Sequence, residues 1–164
     1  MNRFIIVDTR EKPKAIEKIL AYFESHNIEY EKSKLLFGDY MDYNRPGVVI
    51  DRKQNIEELA KNCTIDKDRF LREINKAEKA GALLVILVEQ DRYKDRGEEV
   101  KVRNIIDLLR WSSPYTTIRG EKIFRVLASW TAKYPIRVEF CNKRLTGRRI
   151  VEILYNGDFG PPAR

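Results

Sequence analysis

Two rhythms of apolar residues alternate along the chain. Phe4-Ile5-Ile6-Val7 is a short, β-branched run and predicts a buried strand ending at Asp8. Pro13 suits a first helical turn, and Ile16, Ile19, Leu20 and Phe23 follow at helical spacing up to His26-Asn27. Residues 28–34 alternate weakly, and residues 35–43 form the next expected strand. Asn44-Arg45-Pro46-Gly47 is a dense turn signal, after which Val48-Val49-Ile50 runs into Asp51-Arg52-Lys53. Helices are expected over 56–61 and 66–79, the second with Asp66 as its N-cap and Gly81 as its stop. Residues 82–88 are the most apolar stretch and predict a strand at the sheet centre, covered on both faces. Residues 91–99 are charged and read as a loop. Helices at 101–110 and 119–133, a strand at 136–140 and a helix at 145–155 complete the order. This predicts one mixed α/β domain over residues 1–156, with residues 157–164 as a loose tail.

Composition narrows the function classes. Hydrophobic residues make up 43% of the 164, enough for one core, and charged residues make up 35%. The longest apolar run is too short to span a bilayer, so no membrane association is expected. The N-terminus shows no secretory leader. Cys63 and Cys141 are far apart and His26 is the single histidine, which excludes a Cys/His zinc cluster and fits a reducing, cytoplasmic setting. The net charge of +7 is unevenly spread: residues 1–100 carry 19 Lys/Arg against 20 Asp/Glu, whereas residues 101–164 carry 13 against 5. A localised basic surface is the footprint of a phosphate-backbone partner, although a plain solvated face has the same composition.

Candidate chemistry sits in the hairpin between residues 35 and 53. If Asn44-Arg45-Pro46 is its loop and Tyr43 faces Gly47, Asp39 lies directly opposite Asp51. Lys53 shares the face of Asp51, because strand side chains alternate. Two opposed carboxylates repel, and a divalent cation turns that repulsion into shared coordination. Oxygen ligands of this kind suit Mg²⁺ or Mn²⁺.

The motifs around these residues are specific. Val7-Asp8-Thr9-Arg10-Glu11, Phe37-Gly38-Asp39-Tyr40 and Val49-Ile50-Asp51-Arg52-Lys53 occur in the order and spacing of the V-D-x-R-E, G-D-Y and E-R-K motifs, and over residues 3–140 the chain resembles the XPF nuclease family. The resemblance implies a restriction-endonuclease-like fold, a mixed central sheet flanked by helices. It implies metal-dependent hydrolysis of DNA, often branched or at junctions, in repair or recombination. It implies Asp8, Asp39, Asp51 and the Arg52 backbone carbonyl as metal ligands, Lys53 as catalytic, and Arg10, Glu11 and Arg52 as support for the site or the phosphates. Arg69 resembles a further arginine of the family, and a homodimer is implied in the same way. Two positions depart from the pattern: Asp51 stands where Glu is usual, and Glu57 where Asp is usual. With no phosphate-binding loop and no recognisable helix-hairpin-helix region, the sequence resembles the stand-alone phage or prokaryotic members, placed in the cytoplasm, the host's if phage-encoded.

Blander readings compete at single positions. Asp8 alone could cap a turn, Gly38-Asp39 alone could be a β-bulge, and Asp51-Arg52-Lys53 alone could be a solvated strand end. Lys143, Arg144, Arg148 and Arg149 form a basic cluster in which Arg144 and Arg148 are expected on one helix face, serving either as a phosphate track or as a solvated surface. The rival to an endonuclease is a DNA-binding or dimerisation scaffold on the same fold with catalysis lost.

Overall fold

The computed structural model describes residues 3–155; the expected tail lies outside them. Six strands form one mixed sheet in the order β2-β1-β3-β4-β5-β8, where β1 is Phe4–Val7, β2 Glu29–Lys32, β3 Tyr40–Asp42, β4 Arg45–Lys53, β5 Leu83–Val88 and β8 Ile136–Phe140. β4, β5 and β8 run parallel to one another, while β3 is antiparallel to both β1 and β4. Helices cover both faces: α1 (Pro13–Ser25) and α5 (Thr146–Tyr155) on one, α2 (Ile56–Asn62), α3 (Lys67–Lys79) and α4 (Gly120–Lys133) on the other. β5 shows why. Its Leu84, Ile86 and Val88 join the core under α2, α3 and α4, and its Val85 and Leu87 join the core under α1 and α5. None of the helices described is long and apolar enough to cross a membrane.

Several local expectations are corrected. The most apolar strand, β5, is covered on both faces but stands fifth of six in the sheet. Residues 91–99 are not a loop: β6 (Arg92–Asp95) and β7 (Glu98–Lys101) form a separate hairpin. Its turn residues, Arg96 and Gly97, both have positive φ (52° and 80°), which matches the twist of two-residue hairpins. That hairpin takes only Lys101 from the helix expected over 101–110, and the rest of that stretch holds a single 3₁₀ turn at Ile105–Leu108. Asp66 precedes α3 but its side chain makes no capping bond; it accepts from Arg69 instead. The hairpin of β3 and β4 turns at Tyr43-Asn44, pairing Asp42 with Arg45, and then skips Pro46, Gly47 and Val48 in a bulge. Beyond the bulge, Met41 faces Val49 and Tyr40 faces Ile50, which is the register expected at the site end.

Candidate active site

The site is built where β1, β4 and β5 end and the antiparallel β3 begins. Gly38 sets its first wall. With φ at +73°, it turns the chain just before β3, and a Cβ there would lie 2.4 Å from the Val49 side chain and 3.2 Å from the Ile50 carbonyl oxygen. The turn shortens the expected 35–43 strand to three residues and lets Asp39 bridge two neighbours. Asp39 N–H donates to the Ile50 carbonyl at 2.7 Å, and Asp8 N–H donates to the Asp39 carbonyl at 2.8 Å. One Asp39 carboxylate oxygen accepts from Arg52 N–H at 2.8 Å.

The register brings the Asp39 and Asp51 side chains together. Burial, then the charges of Asp51 and Glu11, push the Asp39 carboxyl well above the ordinary carboxylate range. Lys53 Nζ lies 3.1 Å from Asp51 Oδ2 and 4.6 Å from the centre of the Phe70 ring. Burial alone would lower the Lys53 ammonium, but Asp51, Glu58 and Asp39 outweigh it and raise it, so Lys53 stays charged.

Arg52 and Glu11 are locked in the floor. Arg52 Nε and Nη2 bind both Glu11 oxygens at 2.7 and 2.8 Å, and Nη1 pairs with Glu89. A guanidinium so occupied supports the site but has little left for a phosphate. Glu89, at the end of β5, was not among the sequence candidates. Only its place after the apolar 82–88 run could have signalled a buried carboxylate at a strand end.

Asp8 has a different place from the one expected. It is fully buried and does not line the cleft. Its oxygens accept from Arg10 Nε at 2.7 Å, Leu35 N–H at 2.8 Å and Arg10 N–H at 3.1 Å. Burial would raise its carboxyl, but these donors, Arg10 foremost, hold it below the ordinary value. The geometry makes Asp8 an anchor for the 33–39 loop rather than a free ligand.

Above the floor lies a cleft of about 590 Å³. Its rim is basic on balance: Arg10 and Lys12 on the α1 side, and Lys61, Arg69, Arg72 and Lys76 from α2 and α3, stand among Glu58, Asp66 and Glu73, with Arg69 paired to Asp66 at 3.1 Å and Lys76 to Glu73 at 3.4 Å. Arg69, Arg72 and Lys76 follow i, i+3, i+7 spacing, so they form one exposed stripe along α3, opposite the buried Phe70, Ile74 and Ala77. The C-terminal basic cluster does not reach the cleft. Lys143 and Arg144 sit in a 3₁₀ turn ahead of α5, so Arg144 and Arg148 do not share one helix face. Arg149 is held by Glu139 at 2.5 Å and by Glu152 at 3.3 Å, and Arg148 pairs with Glu152 at 3.1 Å. Cys63 is buried, its thiol pushed up to about 12, and His26 stacks on Tyr22 at the end of α1; neither lines the cleft.

The floor suits a divalent cation by its charge. Glu11, Asp39, Asp51 and Glu89 surround Arg52 and Lys53, and the next cation near Asp39, Arg10, is already paired with Asp8, leaving a negative excess where Asp39 is held against its own ionisation. Among the described residues no three acidic, His or Cys side chains close around one point. A bound ion would therefore draw on two carboxylates, a backbone carbonyl and oxygens from water or substrate, a set typical of Mg²⁺.

Comparison with known proteins matches the ERCC4 domain to residues 7–151. No curated protein matches the sequence. XPF from Aeropyrum pernix superposes with a TM-score of 0.62 at 18% identity, over 90% of this chain and 61% of that one. The structure of XPF from Aeropyrum pernix in complex with DNA gives 0.63 at 16% identity, over 93% and 64%. The chain thus spans less than two thirds of either, and at these identities the likeness speaks for the fold alone. Since the matched domain covers most of its length and its fold is that of the XPF structures, the chain belongs to the XPF nuclease family, with an ERCC4 domain of restriction-endonuclease-like fold.

Proposed function

We propose that the protein is a Mg²⁺- or Mn²⁺-dependent DNA endonuclease that hydrolyses phosphodiester bonds, with branched or junction DNA among its substrates. The observation that carries this reading is the facing pair Asp39 and Asp51, beside a buried, charged Lys53, on the floor of a basic-rimmed cleft. Asp39, Asp51 and the Arg52 carbonyl would hold the ion. When bound, it would polarise a phosphoryl oxygen and acidify a water. Lys53, charged in the metal-free protein, would serve as a positive charge near the scissile phosphate and as a donor orienting the attacking water. Arg10 and the Arg69, Arg72 and Lys76 stripe would guide the backbone phosphates into the cleft. Asp51, one methylene shorter than Glu, reaches less far from β4, and its metal preference is part of the proposal. A homodimer is proposed by family likeness and is measured by light scattering.

The catalytic groups distinguish this enzyme from an inactive scaffold. Purified protein is incubated with duplex, single-stranded and branched DNA, with Mg²⁺, with Mn²⁺ and with EDTA. Metal-dependent cutting is expected, lost by roughly 10²–10³-fold in Asp39→Asn and Lys53→Ala while DNA is still bound. Cutting that survives either change overturns the site, and binding without cutting under any metal favours the scaffold.

A further inference from the structure

We propose that Glu89 is a positioning residue of this site, held in place by Thr146 at the head of α5; the inference rests on the nuclease reading above. Glu89 is 5% exposed and belongs to neither the acidic pair nor the cleft lining. Three contacts define its work, and a further pair of bonds holds its partner Arg52. One oxygen pairs with Arg52 Nη1. The other accepts from Thr146 Oγ1–H at 2.9 Å, the shorter of two acceptors for that single proton, the Lys143 carbonyl lying at 3.1 Å. Its backbone N–H donates to the Lys53 carbonyl at 2.8 Å. Arg52 is gripped on its other edge by both oxygens of Glu11.

The consequence is mechanical and electrostatic. Arg52 cannot rotate without breaking two buried ion pairs, so the β4 peptide carrying Asp51 and Lys53 is fixed from behind. Arg52 N–H also holds Asp39, which ties the opposing carboxylate to the same peptide. Glu89 supplies one of the negative charges that exceed Arg52 and Lys53 on the floor. Thr146 is fully buried and begins α5, so the seating of the last helix reaches the reacting groups through one hydroxyl. Support of this kind typically changes metal affinity or activity by roughly 10–100-fold when removed.

The test uses the full chain and four variants: Glu89→Gln, which keeps shape and removes charge; Glu89→Asp; Thr146→Val, which removes only the hydroxyl; and Thr146→Ser, which restores it. Mn²⁺ binding is measured without DNA by calorimetry, and kcat and KM are measured on a cleaved duplex. Glu89→Gln is expected to weaken Mn²⁺ binding and to lower kcat, each by roughly 10–100-fold, with KM for DNA unchanged. Thr146→Val shifts both in the same direction by less, Thr146→Ser returns them towards the parent, and Glu89→Asp, too short to reach both partners, does not. The inference falls if Glu89→Gln and Thr146→Val keep the parent's Mn²⁺ affinity and kcat, if they lower only the thermal midpoint, or if they move only KM. A parent protein that neither binds Mn²⁺ nor cuts DNA overturns the nuclease reading itself, an outcome distinct from all of these.

Discussion

Asp8 and Asp39 lie at the same end of the sheet, and their surroundings push them in opposite directions. Arg10 and Leu35 N–H outweigh burial at Asp8 and hold its carboxyl below 3.8. Its charged form therefore contributes stability that is fully present above the unfolded value and lost as pH falls through the lower folded value. Asp8→Asn should lower stability at neutral pH by about 1–3 kcal/mol and flatten the acid limb of the curve, as followed by urea melts from pH 2 to 7. At Asp39 the sign reverses. A raised folded value means that ionisation costs stability as pH rises above 3.8. Without metal, Asp39→Asn should raise the thermal midpoint at neutral pH by about 2–4 °C, the response to about 1 kcal/mol at this length. Adding Mn²⁺ should raise the midpoint of the parent and not that of the variant. An Asp39→Asn protein less stable than the metal-free parent would mean that the acidic pair is not under repulsion.

At the scale of elements, the hairpin of β3 and β4 works because of Gly38. Any side chain there meets Val49 and carries the cost of positive φ. Gly38→Ala is expected to cost about 2–4 kcal/mol by denaturant melts and to lower cleavage more than DNA binding, because Asp39 moves with the turn. Apolar periodicity made β1, α1, α3, β5 and α4 legible, since each carries its burial pattern in its own residues. It failed at residues 91–110, where charged side chains flank the inward-facing Tyr93 and Val100 on a short hairpin and the turn is set by the φ values of Arg96 and Gly97. The Asp39–Asp51 pairing was legible as a register, although the bulge at Pro46-Gly47-Val48 was not. The two errors in loop length cancel at the site end of the hairpin.

At the scale of the whole molecule, the charge sum and the charge placement point to different surfaces. The basic excess lies in the last two-fifths of the sequence, yet Arg149 is occupied by Glu139 and Glu152, while the cleft is lined by Arg69, Arg72 and Lys76 from the nearly neutral first part. Replacing Arg69, Arg72 and Lys76 together by Ala should flatten the salt dependence of duplex binding by about 0.9 in log–log slope for each lost phosphate contact. Arg149→Ala should leave the slope nearly unchanged and cost about 1–3 kcal/mol of stability, because Glu139 is left with Arg137 alone, at 3.6 Å. A slope that responds to Arg149 and not to the α3 stripe would reverse this assignment. The sequence by itself determined the strands and helices with strong periodicity, the three motifs, and the pairing of Asp39 with Asp51 beside Lys53, because each depends on residues close in the chain or joined by one hairpin. Only the tertiary structure decided that Asp8 is spent on Arg10 and Leu35, that Arg149 is spent on Glu139, and that Glu89 and Thr146 stand behind Arg52. Those contacts join separate elements, and periodicity reports which face a residue occupies but not which side chain lies across from it.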